Sequence, residues 1–445
     1  MSLNRAYCVI LAAVVIGYAF MNKSFAYVGY NPVFISEIML ALGLGVLFIG
    51  GVNLAFLRSP ISLITMVFVT WCFLTAIPAF SLDPILAARD SVIWIYAAFA
   101  LLVAGLLLRT RMITGFLTTY ARVLPFFLAW VPIGFALGHF YGDQMPVMPG
   151  STTSMLTLKG GDFGVHLAGA GAFLALGLHD WFNKPKRISP NLRDWLLWIA
   201  LGAGLVAIGS QNRGGLLSVV LALAVVYAFR PRNRLRKLIL PGILFFGIAV
   251  LVFSAGDYSG ERKLSLGQFV TNFTSIFDRE AVQQSTVNWR LAWWEKILDY
   301  SFQGPYFWTG KGYALNLALA DGFYTGDANR NPHNGHLTIL ARSGVPGFAI
   351  WLVLQAMIGW TLIRSILAAD HAGLKGQANI LIWALAYWLA FLTNTSFDVF
   401  LEGPQGGIPF WCLVGMIIAM TEFQRQQLST DHAMHVHHGS SLRGT

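Results

Sequence analysis

Residues 61–80 read ISLITMVFVTWCFLTAIPAF, running from Ile61 to Phe80 without a charged side chain. Twenty residues at about 1.5 Å each rise about 30 Å as a helix, which is the thickness of a bilayer's hydrocarbon core. Apolar runs of this kind recur near 6–21, 33–56, 85–108, 113–138, 163–180, 194–209, 214–229, 238–254, 347–368, 378–396 and 408–423. The expected fold is therefore all-α, a polytopic integral membrane helical bundle with about twelve transmembrane helices.

Composition supports the same class. Of 445 residues, 56% are hydrophobic and 11% charged, against about 25% charged in soluble domains. A net charge of +10 raises the question of nucleic acid, but the basic residues gather in alternate loops, as the positive-inside rule requires. Threading from a cytoplasmic start puts Arg5, Arg58, Arg109, Arg111, Lys184, Lys186, Arg187 and Arg193 inside. Arg230, Arg232, Arg234, Arg236, Lys237, Arg364, Lys375 and Arg425 fall there too. The short outer loops hold few basic residues, mainly Lys23, Arg89, Lys159 and Arg213. Both termini are then cytoplasmic, and the long segment from Ala255 to Pro346 faces outward. This gives four parts: spans one to nine in 1–254, an outer loop with short helices in 255–346, three spans in 347–423 and a cytoplasmic tail in 424–445.

Cys8, Cys72 and Cys412 all lie inside apolar runs without metal-ligand spacing and read as core packing. Ser24-Phe25-Ala26 resembles a signal cleavage site, but the many later spans favour an uncleaved first helix. The tail carries His432, His435, His437 and His438, a tract that can bind metal but reads first as a disordered end.

An outer segment of this length is more than a passive connection. Within it, Trp289, Trp293, Ile297 and Tyr300 share one face of a helix, with Arg290, Lys296 and Asp299 turned away. That face suits either the headgroup layer or the protein's own bundle. A second outer loop, Gly138 to Gly161, is rich in Pro, Gly, Ser and Thr and reads as a gate or a simple turn.

The chemistry-bearing stretch is Asn331-Pro332-His333-Asn334-Gly335-His336, followed by Gly344 and Pro346-Gly347. Asn331 can cap a short helix with Pro332 in its first position, which would put His333 and His336 on one face. An imidazole there can take a proton from an alcohol near neutral pH; the bland alternative is a histidine bonded to backbone at a helix start. Arg213-Gly214-Gly215 opens another helix between two minimal spans. An arginine beside a helix N-terminus suits phosphate oxygens; an interfacial arginine reaching headgroups is the alternative. Arg290 lies in the Trp-rich helix, and Arg262, Lys263, Arg279 and Lys311 share the outer segment. The Gly310-Lys311-Gly312 turn lets backbone approach a ligand or is only a tight turn. Nucleotide loops, zinc-protease motifs, nucleophile elbows and Asp-x-Asp are absent from the sequence.

In these residues the chain resembles the O-antigen ligase/polymerase superfamily of bacterial envelope glycan enzymes. His333-Asn334, nine residues, then Gly344-x-x-Gly347 fits the ligase pattern H-[NSQ]-x9-G-x-x-G, and Arg213-x-x-x-Leu217 fits R-x3-L. Arg290 with Trp294, then Gly310-x-Gly312, fits the outer loop of the wider superfamily. The resemblance implies an inner-membrane glycosyltransferase working at the periplasmic face without metal, ATP or other cofactor. Its implied donor is a glycan on undecaprenyl diphosphate, and its acceptor is a sugar hydroxyl, on lipid A-core for a ligase or on another repeat unit for a polymerase. His333 would be the base, Arg213 and Arg290 would hold the diphosphate, and His336, Asn334, Gly214, Gly215 and Lys311 would contact substrate. A lipid-linked glycan transporter and a non-catalytic scaffold are the competing classes. The spans hold few charges beyond Asp90 and Arg122, which argues against a polar path across the bilayer.

Overall fold

A computed structural model describes residues 2–30, 33–183, 190–231, 285–323 and 330–441. Its helices are α1 (Leu3–Met21), α2 (Ile35–Gly50), α3 (Pro60–Leu82), α4 (Pro84–Ile95), α5 (Ala98–Thr110), α6 (Ile113–Tyr141), α7 (Gly160–Ala175) and α8 (Leu178–Phe182). They continue as α9 (Pro190–Gly209), α10 (Arg213–Phe229), α11 (Ser285–Phe302), α12 (Leu317–Asp321), α13 (Gly335–His371), α14 (Lys375–Thr395) and α15 (Pro404–Ser441). A two-stranded hairpin (β1, Gly29–Tyr30; β2, Val33–Phe34) precedes α2.

Among the described residues seven helices, α1, α3, α6, α9, α13, α14 and α15, are long and apolar enough to cross a membrane. The run expected at 85–108 is a pair, α4 and α5, bent by 45°. The runs at 33–56 and 214–229 contain shorter apolar helices, α2 and α10. The run at 163–180 is covered by α7, which starts earlier and ends at Ala175, and by α8. The span expected at 238–254, the first part of the outer loop and the basic residues Lys184, Lys186, Arg187, Arg232, Arg234, Arg236, Lys237, Arg262, Lys263 and Arg279 lie outside the described residues.

The lipid-facing side is visible on α3, where Leu63, Val67, Phe73, Leu74 and Ile77 are exposed. At the other extreme every residue of α7 is buried. Its glycines allow this: a Cβ on Gly164 would lie 2.4 Å from Gly215 Cα, and one on Gly215 would lie 2.8 Å from Gly160 O. Small residues let helix backbones touch in a membrane, so the starts of α7 and α10 stand side by side. Cys8 and Cys72 are buried free thiols, and Cys412 is a partly buried one.

The Trp-rich helix α11 packs on protein. Trp293, Ile297 and Tyr300 are buried with Leu317, Ala318, Leu340 and Ala341. The loop before α7 is an ordered turn: Ser24 Oγ donates to Ser154 O at 2.9 Å and accepts from Thr157 N at 2.9 Å. The histidine-bearing tail, expected to be disordered, continues the helix of α15 through Ser441.

Candidate active site

Three separate elements meet at Phe397-Asp398, in the turn between α14 and α15. The first is the strand of chain entering α13. His333 has φ +52°, left-handed backbone that costs a non-glycine residue about 1–2 kcal/mol. Its Nδ1 lies 3.4 Å from Asp398 Oδ1, and its side chain is 23% exposed, so the ring is anchored yet reachable. Trp289 meets the ring edge-on, with centroids 5.9 Å apart. One turn along α11, Trp294 donates from Nε1 to Pro332 O at 2.8 Å and fixes the residue just before the histidine.

The second element is α11 itself. Arg290 donates from Nη1 to Phe397 O at 3.3 Å, and its guanidinium lies 5.6 Å from the Trp289 ring centroid. The third is the start of α10, where Asn212 caps the helix by accepting from Gly215 N at 2.8 Å. A Cβ on Gly214 would lie 3.1 Å from Phe397 Cβ, so Arg213 begins its helix directly against the same turn. Arg213 is half-buried.

Asp398 also pairs with Lys159, at 3.7 Å from Oδ2, and accepts from Val399 N at 2.8 Å. Burial alone would raise its pKa, but His333, Lys159 and the Val399 amide outweigh burial and hold the carboxyl well below the usual range. Burial likewise works against the charge of Lys159, yet Asp162 and Asp398 raise its pKa. Nearby Glu402 accepts from Asn331 Nδ2. Burial pushes Glu402 up to about 7, with Thr338 and Arg342 pulling the other way.

One turn of chain thus gathers an imidazole paired with a carboxylate, the Arg290 guanidinium and the helix start that carries Arg213, at one end of a helical bundle. Residues 195–352 match the family described as O-antigen ligase. Over that segment the chain is similar to the O-antigen ligase family. No curated protein matches the chain.

The matched segment contains Arg213, Arg290, His333, Gly344 and Gly347, whereas Asp398 and Lys159 come from outside it. The match, together with the apolar helices, supports a multi-pass membrane glycosyltransferase of the ligase or polymerase type. The paired glycine motifs of the matched segment have a mechanical reading. Gly344 has φ +71° and interrupts α13. The 306–312 turn docks into the interruption: Val345 N donates to Phe307 O at 2.7 Å and Lys311 N donates to Ala341 O at 2.6 Å. A Cβ on Gly344 would lie 2.5 Å from Phe307 O, and one on Gly310 would lie 2.6 Å from Ala341 O.

The five residues expected to contact substrate have partners within the fold. The α13 helix starts at Gly335, so Asn331 and Pro332 do not open it and His333 and His336 do not share its face. Asn334 is the cap, accepting from His336 N and Leu337 N at 3.1 Å each. His336 accepts on Nδ1 from Trp351 Nε1 at 3.0 Å, which leaves Nε2 to donate to Leu392 O at 3.3 Å. Lys311 binds the buried carboxylate of Asp321, which also accepts from Trp293 Nε1 at 2.6 Å. Gly214 and Gly215 are buried for close backbone packing against Phe397 and α7.

Sequence reasoning missed Asp398, Glu402 and Arg342. Arg342 is buried and pairs with Asp90 at 2.9 Å. It also donates to Gly312 O at 3.2 Å and Asn331 Oδ1 at 3.1 Å. An arginine within an apolar helix is a signal that could have marked it, because intramembrane charges have partners. Asp398 and Glu402 lie in a short turn with no motif around them. Among the described residues one group has metal-ligand spacing, His179, Asp180 and Asp194, at the far end of α7. Arg193 already bonds Asp180 there, so a cation is built into the cluster.

Proposed function

We propose that this protein transfers a glycan from undecaprenyl diphosphate to a sugar hydroxyl at the periplasmic face of the inner membrane, in the manner of an O-antigen ligase acting on lipid A-core. The observation that carries the reading is the convergence of His333, Arg290 and the Arg213 helix start on Phe397-Asp398. His333 Nε2 takes the acceptor's hydroxyl proton, and the freed oxygen attacks the anomeric carbon. The bond from that carbon to the diphosphate oxygen breaks, and the sugar centre inverts. Arg213 and Arg290 bind the diphosphate and stabilise the charge that grows on it as it leaves. Asp398, on the Nδ1 side, orients the imidazole and stabilises the imidazolium that forms. The diphosphate leaving group supplies the driving force, so the scheme uses no metal or nucleotide.

The test is purified protein with lipid-linked donor and acceptor in detergent. Transfer is expected from wild type, and His333→Ala is expected to lose nearly all of it while melting like wild type. Arg213→Ala and Arg290→Ala should each lose about 100-fold or more in turnover. Unchanged substrates with wild-type protein would point to a transporter, and full transfer by His333→Ala would remove the histidine from the mechanism. In a deletion strain, finished polymer stranded on its carrier marks a ligase, and single repeat units mark a polymerase.

A further inference from the structure

A cavity of about 200 Å³ lies inside the membrane region of the bundle, among α1, α5, α6, α7, α14 and α15. Most of its half-buried lining residues lie on two adjacent helices, among them Ala12, Val15 and Ala19 of α1 and Thr119, Tyr120 and Val123 of α6, which puts its sideways opening between them. On α1 it reaches from Cys8 to Phe20, twelve residues or about 18 Å. One leaflet of hydrocarbon is about 15 Å deep. The wall is apolar apart from a few groups, and one of them is His166, only 4% exposed. Its Nδ1 is bonded to Tyr387 OH at 2.6 Å, while its Nε2 is buried without a hydrogen-bond partner. An orphaned ring nitrogen in such a place is destabilising unless something fills the valence.

We propose that this cavity is a lipid site that takes one acyl chain of a membrane phospholipid, with the chain's ester carbonyl hydrogen-bonded to His166 Nε2. The depth agrees. His166 lies seven residues along α7 from Lys159, about 10 Å into the bundle from the level of the candidate active site. The headgroup layer on each side is about 5–8 Å thick, so ester groups begin near that depth. A lateral opening excludes water-soluble ligands, and a pure hydrocarbon would leave the imidazole unsatisfied. The site is separate from the diphosphate-binding groups, and the inference does not depend on the glycan-transfer reading.

The test reconstitutes the full chain in phosphatidylethanolamine vesicles doped with phosphatidylethanolamine bearing a diazirine on one acyl chain. After irradiation, labelled peptides are mapped by mass spectrometry. Labelling is expected to concentrate on the cavity faces of α1 and α6. Ala12→Trp and Ala19→Trp, each of which fills the opening, should abolish it without changing the melting temperature. His166→Phe should lower it about fivefold, the worth of one hydrogen bond, and His166→Gln should restore part of the loss. Labelling spread evenly over lipid-facing helices such as α3, or unchanged in both tryptophan variants that melt like wild type, would overturn the proposal. Loss with the tryptophans but none with His166→Phe would overturn the carbonyl contact.

Discussion

His333 is held in left-handed backbone by its neighbours on both sides: Trp294 bonds the preceding carbonyl and Asn334 caps the helix that follows. In the proposed mechanism the ring's basicity depends on Asp398, whose carboxyl stays ionised through the neutral range because its pKa is depressed. For a carboxyl with a lowered folded-state pKa, the stabilisation is present above the unfolded value of about 4 and is lost as pH falls through the folded value. Asp398→Asn should therefore lower kcat about 100-fold or more, with a small change in KM and an intact fold. Steady-state kinetics of the purified variant checks this, and wild-type kcat would remove Asp398 from the proposed mechanism. Glu402 has the opposite sign. Its pKa is raised to about 7, so its contribution to stability is complete below about 4.3 and fades as pH rises through 7. Melting temperature should fall between about pH 5 and pH 8 in wild type and fall less in Glu402→Gln. Parallel melting curves would show that Glu402 is not the titrating group.

At the scale of elements, the informative feature is a helix that is broken on purpose. α13 could run unbroken from Gly335, but Gly344 turns away and admits the 306–312 turn, whose own Gly310 must lie against Ala341. Gly344→Ala places a methyl 2.5 Å from Phe307 O on backbone with φ +71°. The expected cost is about 1–3 kcal/mol, read as a lower melting temperature together with reduced transfer, because the displaced turn borders the His333 segment. Gly45→Ala, where a Cβ meets nothing within 4 Å, is the matched control and should be neutral or slightly stabilising. The break and its partner turn were visible in the sequence as paired glycine motifs. What they do was not, because the two glycines meet across 34 residues of chain (344 − 310). The helix start was misplaced for a similar reason. Asn331-Pro332 has the right local chemistry, but Asn331 is taken by Glu402 and Arg342, and Asn334 does the capping.

Across the whole molecule, the buried Asp90–Arg342 pair joins the bent α4/α5 unit to α13 and the outer turns. Buried charges in an apolar bundle are tolerable only with partners, and Asp90 has a second, more exposed one in Arg330 at 3.6 Å. Arg342→Leu leaves the buried Asp90 with only its longer pair to Arg330, at 3.6 Å, and should destabilise by about 3 kcal/mol. Adding Asp90→Leu should recover much of that loss, since an apolar pair replaces an ionic one. Unfolding of the two variants in detergent distinguishes this from simple loss of packing, in which the double variant would be the worse of the two.

Membrane class and the positions of the described apolar helices were readable from the chain, and so were His333, Arg213 and Arg290 as groups to propose. Each depends on a local property: the length of an apolar run, or a residue type at a fixed spacing. Which groups pair was decided only in three dimensions. Asp398 reaches His333 across 65 residues (398 − 333), Asp90 reaches Arg342 across 252 (342 − 90), and Lys311 is drawn off to Asp321. Partners of buried charges are chosen by how non-consecutive helices pack, and that packing turns on close contacts such as Gly164 against Gly215 that no linear pattern encodes.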